Sequence, residues 1–307
     1  MVKYYCMYCN FRTIREYRLK LHIENEHNLD LLKTDLNKNE SEKRIQFMDL
    51  SYDLIIKRFI KILNKSDKKF KIVENNPNII FFSTQGNNHK KDIYKNTKKI
   101  FFTGENVKPK IYANLNLTFE NGTKNNNFRL PLWLLYTFDK SMKLSKKNVK
   151  KFCCFVYSNN VKIRNDLCKN ISKYKKVDCG GKCLNNIGYR VKNKINFQNQ
   201  YKFCIASENS LTPGYTTEKI LHAFKSNCIP IYYGSNTVID DFNPETFINA
   251  NNFKNTDELI NYIKEVDNND KLFNSFMNKP VFSKKWLEIF NDPNETFYKN
   301  LANKILK

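Results

Sequence analysis

The chain has 307 residues, of which 41% are hydrophobic and 14% aromatic, a composition that is ordinary for a folded protein with one or two cores. It excludes a chain that is disordered throughout, and every apolar run is too short to cross a bilayer. The net charge of +23 suits polyanionic partners, but the lysines are spread along the whole chain, and a bias towards Lys, Asn and Ile produces the same charge.

Nine cysteines, two of them adjacent at Cys153 and Cys154, indicate free thiols in a reducing compartment rather than a set of disulfides. The N-terminus does not have the pattern of a signal peptide. We therefore expect a soluble, cytoplasmic protein without a membrane span.

The first 30 residues carry a metal-binding pattern. Cys6 and Cys9 are two residues apart, His22 follows after twelve more residues, and His27 after a further four. Two thiolates from one turn and two imidazoles from one helix face complete the tetrahedron that Zn²⁺ prefers. The spacing predicts a small ββα zinc finger with a structural zinc ion. Its nearly neutral charge favours a structural or protein-docking role over weak nucleic-acid contact.

A first α/β domain is predicted after a polar linker at residues 31–44. An apolar stripe over residues 45–63 predicts a helix that packs on this domain. Four short apolar runs, separated by polar loops, predict strands at residues 70–73, 79–83, 99–103 and 113–119. These elements together predict a domain over residues 45–149.

The motif TGEN, at residues 103–106, follows the third of these strands. Active sites of α/β proteins are built at the carboxyl ends of strands, and Gly104 allows the chain to turn sharply there. Glu105 is therefore expected to face a cleft. On the residues alone, an isolated Glu in a loop is more often a solvated carboxylate than a catalytic one.

A second α/β pattern begins with an apolar strand at residues 150–157. Ser158 and Asn159 end that strand, and a helix containing Arg164 follows. The next predicted strand ends in paired glycines beside Lys182. The turn at Ser158 and Asn159 suits phosphate binding through backbone N–H groups, although Ser and Asn can equally serve only as helix caps.

Residues 201–234 have the pattern strand, polar loop, helix, strand. Thr216 or Thr217 is the predicted N-cap, which places Glu218 and Lys219 in the first turn of the helix. Ligands of open α/β sheets bind at this position. The residues alone leave open whether this Glu-Lys pair binds a ligand or begins a solvated helix.

In their order along the chain, these motifs resemble those of the α-1,3-fucosyltransferases of glycosyltransferase family 10. The matching segments are TGEN, FRLPLW, FVYSN with IRN, SENS, GYTTEKI and IPIYYGS. The resemblance implies a GT-B fold, in which two Rossmann-like domains face a cleft. The implied units are an acceptor-side domain over residues 45–149, a GDP-fucose-binding domain over residues 150–285 and a C-terminal helical segment over residues 286–307.

The resemblance also implies a reaction, the inverting transfer of L-fucose from GDP-fucose to a glycan hydroxyl, most often O3 of an N-acetylglucosamine. Glu105 is implied as the general base that removes the proton of that hydroxyl. A nucleoside diphosphate leaves once its charge is compensated, so neither a second catalytic acid nor a catalytic metal is expected. The implied donor-binding residues are Ser158, Asn159, Arg164, Lys182, Asn209, Tyr215, Glu218 and Lys219.

One departure from the family pattern, the role of one residue and two alternative functions stay open at this point. The family pattern suggests a phosphate-binding Arg where this chain has Leu184, so Lys182 is expected to replace it. Arg129, in FRLPLW, could contact the acceptor, although a structural role is favoured. The alternative functions are a zinc-finger nucleic-acid-binding protein and a catalytically silent sugar-nucleotide binder.

Overall fold

The computed structural model describes residues 4–5, 12–13, 42–50, 52–122, 124–145 and 151–307. Near the N-terminus, β1 (Tyr4–Tyr5) pairs antiparallel with β2 (Arg12–Thr13), Tyr4 lying opposite Thr13. The four predicted zinc ligands lie outside the described residues: Cys6, Cys9, His22 and His27. The zinc-finger prediction therefore stays a prediction.

The first lobe is built on a six-stranded parallel sheet in the order β4-β3-β5-β6-β7-β8. Its strands are β3 (Lys43–Phe47), β4 (Phe70–Ile72), β5 (Ile79–Phe82), β6 (Lys98–Phe102), β7 (Leu115–Thr118) and β8 (Asn127–Arg129). One helix, α1 (Asp53–Leu63), follows β3 and buries its apolar face. All four residues of β5 are buried, as expected for a parallel strand that is covered on both faces.

The prediction of one helix over residues 45–63 was wrong in its first part. Ile45 and Phe47 belong to β3, which pairs with β4 on one side and β5 on the other. These two side chains enter the main core, and the pairing with two strands outweighs the helical spacing of the apolar residues. Asp49 then adopts a φ of 51°, which ends the strand before α1 begins. The predicted linker also ends earlier, because β3 starts at Lys43.

The second lobe contains a five-stranded parallel sheet in the order β10-β9-β11-β12-β13. Its strands are β9 (Lys151–Phe155), β10 (Val177–Cys179), β11 (Tyr201–Ser207), β12 (Ile229–Tyr233) and β13 (Ile248–Asn249). Its helices are α2 (Lys162–Tyr174), α3 (Lys194–Gln198), α4 (Glu218–Lys225), α5 (Thr256–Asn268) and α6 (Asp270–Ser275). The helix predicted after SENS is α4, with Thr217 at its N-cap.

Two further helices, α7 (Lys284–Asn291) and α8 (Thr296–Leu306), end the chain. Helix α8 returns to the first lobe and packs beside α1. Ser66, just after α1, donates from its Oγ to Oδ1 of Asn303 over 2.6 Å. Lys98 Nζ donates to the carbonyls of Lys304 and Ile305 at the end of α8, over 3.1 and 2.8 Å. The last helix is therefore bound to the first sheet.

A buried ion pair joins the two lobes. Arg129, at the end of β8, donates from Nη1 and Nη2 to the two oxygens of Asp241 over 2.8 and 2.7 Å. Trp286 Nε1 donates to the same carboxylate over 2.9 Å. Trp133, also from FRLPLW, packs against Phe242 and Trp286 with ring centroids 5.0 and 5.2 Å away. This motif therefore has the structural role that was favoured for Arg129.

The α/β class with two parallel sheets is as predicted. Seven cysteines of the described residues are free thiols, and all seven are buried. No helix in the described part of the chain combines the length and the apolar character needed to span a bilayer. The expected reducing, cytoplasmic location stays a prediction.

Candidate active site

A cavity of about 370 Å³ opens between the two lobes, where the carboxyl ends of strands from both sheets meet. Glu105, after β6, reaches it from the first lobe. The second lobe contributes residues that follow β9 and β11 or begin α4. Eight of the nine predicted catalytic and donor-binding residues line this cavity: Glu105, Ser158, Asn159, Arg164, Asn209, Tyr215, Glu218 and Lys219. Lys182 does not.

The loop between β11 and α4 is braced from inside by Glu208. Its carboxylate is buried and accepts hydrogen bonds from both the backbone N–H and the Oγ1 of Thr217, each over 2.8 Å. Thr217 is the N-cap of α4, but its hydroxyl bonds to this carboxylate and makes no capping bond to the helix backbone. The start of α4 is therefore held to the end of β11, which fixes the side chains of its first turn.

Glu218 and Lys219 are both charged at the first turn of α4. Lys219 Nζ lies 3.1 Å from Glu208 Oε2 and 3.6 Å from Glu218 Oε1. Burial opposes the charge on Lys219, but the two carboxylates outweigh it and raise the lysine pKa. Burial likewise opposes ionisation of Glu218, while Lys219 and further neighbours lower its pKa. The site thus keeps a cation and a carboxylate side by side at neutral pH.

Arg164 brings a second cation to the cavity from α2. Its guanidinium carbon lies 4.0 Å from the ring centroid of Tyr157, and its Nη2 donates to Oδ1 of Asn209. The Nε of Arg164 is buried and has no hydrogen-bond partner within the described residues. A buried donor without a partner is costly, so a ligand oxygen here would satisfy it.

Tyr215 closes the cavity between the loop and the first lobe. Its buried ring meets Phe119 edge to face, with centroids 5.1 Å apart. The preceding Gly214 has a φ of +85°, and a Cβ there would lie 2.5 Å from the Phe119 carbonyl oxygen. Only glycine allows the loop to approach the first lobe so closely. Burial raises the pKa of the Tyr215 phenol, which therefore stays protonated.

Glu105 presents an exposed carboxylate to the cavity. Its backbone N–H donates to the Oγ1 of Thr103 over 3.0 Å, which holds the TGEN turn. A Cβ at Gly104 would lie 2.7 Å from the side chain of Leu132, so TGEN and FRLPLW are packed together. Within the described residues the carboxylate forms neither an ion pair nor a hydrogen bond, and it is accessible to a substrate hydroxyl.

Tyr136 and Tyr52 line the same cavity and were not predicted. Burial, followed by the charges of Glu218, Tyr52 and Glu105, raises the pKa of Tyr136 to about 12, so its phenol remains a hydrogen-bond donor. Tyr52 is 57% exposed at the N-cap of α1 and forms part of the cavity mouth. No local sequence pattern marks either tyrosine, because the fold brings them to the cavity from loops far apart in the chain.

Lys182 is exposed, and the loop after β10 brings Arg190 towards the cavity instead. Arg190 Nη2 donates to the Oγ of Ser158, a lining residue, over 3.1 Å. The loop folds back because the Val191 N–H donates to the carbonyl of Gly180 over 2.9 Å. A Cβ at Gly181 would lie 2.0 Å from the carbonyl oxygen of Tyr157, so this glycine serves close backbone packing. The sequence analysis did not single out Arg190; its only signal was the expectation of an Arg or Lys near the paired glycines.

No cluster of three or more His, Cys, Asp or Glu side chains suited to a metal ion occurs among the described residues. Among the described residues, the charged side chains that line the cavity come from both lobes. Lys219, Arg164 and Glu218 line the cavity from the second lobe, and Glu105 lines it from the first. This arrangement suits a ligand that combines a diphosphate with hydroxyl groups.

Comparisons with known proteins show which family and which solved structures this chain is similar to. The family model "Alpha-(1,3)-fucosyltransferase FucT N-terminal domain" matches residues 45–136, and "Glycosyltransferase family 10 (fucosyltransferase) C-term" matches residues 144–289. Alpha-(1,3)-fucosyltransferase FucT of Helicobacter pylori is 32% identical over 257 residues, which are 69% of this chain and 52% of that protein. Putative fucosyltransferase R654 of Acanthamoeba polyphaga mimivirus is 34% identical over 144 residues, 43% of this chain and 24% of that one.

This chain thus spans about half, or less, of the length of these two curated relatives. A solved structure covers it more completely: the crystal structure of an alpha1,3-fucosyltransferase with GDP-fucose. That structure is similar with a TM-score of 0.66 and 26% sequence identity, over 88% of this chain and 94% of the other. The two lobes described above therefore correspond to nearly the whole of that solved chain.

Proposed function

The chain belongs to glycosyltransferase family 10, since the two family models together match more than half of it, and we propose that it transfers L-fucose from GDP-fucose to a glycan hydroxyl. One observation carries the proposal. Glu105 from the first lobe shares a single cavity with Arg164, Glu218 and Lys219 from the second. The finer description of the fold, two Rossmann-like domains of GT-B type facing this cleft, is part of the same proposal.

The donor binds on the second-lobe side. Lys219 and Arg164 compensate the charge of the diphosphate, and the unpartnered Nε of Arg164 donates to one of its oxygens. Ser158 and Asn159 donate further hydrogen bonds at the end of β9. Glu218 accepts hydrogen bonds from the ribose hydroxyls. Asn209 holds Arg164 in place, and Tyr215 packs beside the nucleotide.

The acceptor hydroxyl meets the donor from the first-lobe side. Glu105 removes the proton of the acceptor hydroxyl. The hydroxyl oxygen meanwhile attacks the anomeric carbon of fucose on the face opposite GDP. The new C–O bond forms as the bond between that carbon and the phosphate oxygen breaks, and the electron pair leaves with GDP. The configuration inverts, and the proton remains on Glu105. The cations beside the diphosphate stabilise the charge that develops on the leaving group.

The acceptor side is proposed to take an O3 hydroxyl of N-acetylglucosamine. A support for a sugar acceptor is Tyr52, whose exposed ring at the cavity mouth offers a flat apolar surface. Tyr136 adds a protonated phenol inside the cavity as a hydrogen-bond donor. The linkage itself rests on the family resemblance.

Calorimetric titration with GDP-fucose tests the donor proposal, with GDP-mannose and UDP-galactose as controls. We expect selective binding of GDP-fucose, followed by transfer to a glycan in an acceptor screen. Binding of UDP-galactose as tightly as GDP-fucose, or binding of none of the three nucleotides, contradicts the assignment of the donor site.

We also propose that residues 1–30 hold one structural Zn²⁺ ion through Cys6, Cys9, His22 and His27. Support comes from the spacing of these ligands and from the pairing of β1 with β2. In the sequence these two strands lie on either side of Cys6 and Cys9. Elemental analysis of the purified protein should give one zinc per chain, and Cys6→Ser should lose it. Zinc-free wild-type protein contradicts the proposal. If the finger only docks the enzyme to another protein, removal of residues 1–40 leaves transfer unchanged.

A further inference from the structure

A second cavity, of about 330 Å³, lies where the C-terminal half of α1 meets the start of α8. We call it the α1–α8 cavity. Arg58 and Lys61 line it from α1, Lys140 from the segment between the two sheets, and Glu295 and Tyr298 from the start of the last helix. The residues that line it and those that line the active-site cavity are entirely different. The α1–α8 cavity is therefore a separate site.

Basic side chains are concentrated in this cavity. Four of its eight lining residues are basic: Arg58, Lys61, Lys65 and Lys140. Lys and Arg supply 53 of the 307 residues of the chain, a much smaller share, so the basic composition alone does not explain the cluster. The larger active-site cavity has only two basic lining residues, Arg164 and Lys219.

The one carboxylate that lines the α1–α8 cavity is already paired. Glu295 Oε2 lies 2.5 Å from Lys65 Nζ, and both side chains are partly exposed. This ion pair compensates one of the four basic groups. Three basic groups remain in excess among the lining residues, which matches a ligand with two or three negative charges.

These three basic groups have few partners in the part of the chain that the structure describes. Arg58 Nη2 donates one long hydrogen bond, of 3.5 Å, to the carbonyl of Tyr136. Lys140 Nζ lies 5.9 Å from the ring centroid of Phe290, and neither it nor Lys61 forms an ion pair with a described residue. Basic groups that share one cavity repel one another, so an anion bound between them would relieve that repulsion.

Neutral hydrogen-bond donors complete the walls. Tyr298 is buried, and burial raises the pKa of its phenol even though Arg58 opposes the rise, so the phenol stays protonated and can donate. Asn64, the C-cap of α1, adds an amide. Charged and neutral donors that converge on one concave site are typical of phosphate recognition, and this volume lies at the lower end of the range for small-molecule sites.

A structural explanation accounts for only one of the three groups. Lys61 lies in the last turn of α1, where a cation interacts favourably with the free carbonyls of the helix end. Arg58 precedes that turn, and Lys140 belongs to a different segment of the chain. The fold therefore brings together basic residues that no single helix end requires.

We propose that the α1–α8 cavity binds a small phosphate compound with several negative charges, of which pyrophosphate is the simplest. The concave shape favours a soluble ligand over the surface of a membrane. Such a ligand contacts both α1 and α8 and therefore stabilises the packing of the last helix on the first lobe. This second anion site goes beyond the proposed fucosyl transfer and does not depend on it.

Calorimetric titration with pyrophosphate tests the site, with GDP present at saturation to occupy the active-site cavity. We expect one pyrophosphate bound per wild-type chain. The double variant Lys61→Gln with Lys140→Gln should bind it about tenfold more weakly, because two charge-assisted contacts are lost. Lys57→Gln with Lys169→Gln removes two exposed lysines outside both cavities and should leave the affinity within about twofold.

Three outcomes of the titration overturn the proposal: no binding to the wild type, the same affinity in the cavity variant, or an equal loss in both double variants. An equal loss would mean that net charge alone attracts the ligand. None of these four lysines lines the active-site cavity, so the comparison of the two double variants is valid whether or not the protein transfers fucose.

Two further measurements identify the source of the phosphate and the effect of binding. In thermal unfolding, pyrophosphate should raise the Tm of the wild type and of the Lys57→Gln, Lys169→Gln variant, but not that of the cavity variant. Co-sedimentation with phosphatidylglycerol vesicles should be equal for the wild type and the cavity variant. Vesicle binding that requires Lys61 and Lys140, together with no binding of pyrophosphate, would contradict a soluble ligand.

Discussion

Lys219 Nζ lies 3.1 Å from Oε2 of Glu208, and the carboxylate of this pair is completely buried. The same carboxylate holds the N-terminus of α4 through Thr217. The lysine proposed to bind the diphosphate therefore also compensates a buried charge that supports the loop. Its removal affects both donor binding and stability, and these two effects can be measured apart.

Lys219→Met should lower the free energy of unfolding by about 2–4 kcal/mol, because it leaves the Glu208 carboxylate buried without its cation. It should also weaken GDP-fucose binding at least tenfold. Adding Glu208→Gln should recover part of the stability but not the affinity. Chemical denaturation and calorimetry measure the two quantities. Affinity that returns together with stability in the double variant would show that Lys219 acts only by supporting the loop.

Glu105→Gln should reduce the rate of fucosyl transfer by about 10²–10⁴-fold, the usual contribution of a general base. The amide keeps the size of the side chain but cannot take the proton. The Kd for GDP-fucose should stay close to that of the wild type, since the donor residues lie on the other lobe. Glu120→Gln, also in the first lobe but outside the cavity, is the matched control. Near-normal transfer by Glu105→Gln would exclude the assigned role.

Arg190→Gln should raise the KM for GDP-fucose by about five- to tenfold, as expected for the loss of one charge-assisted hydrogen bond worth about 1–1.5 kcal/mol. Lys182→Gln, which removes an equal charge from the same loop, should change it less than twofold. Initial-rate measurements at fixed ionic strength compare them. A larger rise in KM for Lys182→Gln than for Arg190→Gln would support Lys182 as the residue that binds the phosphates.

His222 should make the stability of the protein depend on pH. Burial, then the nearby Lys194, lowers its pKa from 6.5 to about 4, so the folded protein resists a proton that the unfolded chain takes up. Stability from this group is complete above pH 6.5 and is lost as the pH falls towards 4. The loss should be on the order of 3–4 kcal/mol, at about 1.4 kcal/mol for each pKa unit between 6.5 and about 4.

His222→Phe removes this dependence while keeping a ring against Tyr136, whose centroid lies 5.3 Å from that of the histidine. Unfolding free energies of both proteins are measured at several pH values from 7 to 4. Over this range the wild type should lose more stability than His222→Phe, by about the amount given above. Parallel curves would mean that the histidine titrates equally in the folded and unfolded chains.

Local patterns in the sequence were sufficient for most elements. The strand at residues 79–83 and the start of α4 after Thr217 were predicted because an apolar run and an N-cap act over a few residues. The site residues came mainly from the family resemblance, since an isolated Glu or Arg has no local pattern that marks a role. Ile45 was misassigned because its conformation depends on pairing with β4 and β5, which lie further along the chain.

Contacts between segments that are far apart in the chain explain the other features that the sequence analysis did not predict. Arg190 reaches Ser158 only because the loop after β10 folds back on Gly180, and no residue spacing encodes that closure. The support of Asp49 by His89 likewise joins segments 40 residues apart. Gly181, one of the paired glycines after the predicted strand, packs against the backbone of Tyr157, and this contact was not predicted. Contacts of this kind can be identified only once the positions of the two sheets are known.

The return of α8 to the first lobe makes that lobe, which is the proposed acceptor half, discontinuous in sequence. Leu301 and Ile305 of that helix are completely buried, and the carbonyls at its end bind Lys98. A chimaera that exchanges acceptor specificity between two such enzymes must therefore carry the last helix along with the N-terminal segment. Cutting the gene between the lobes would separate a half-domain from the piece that completes it.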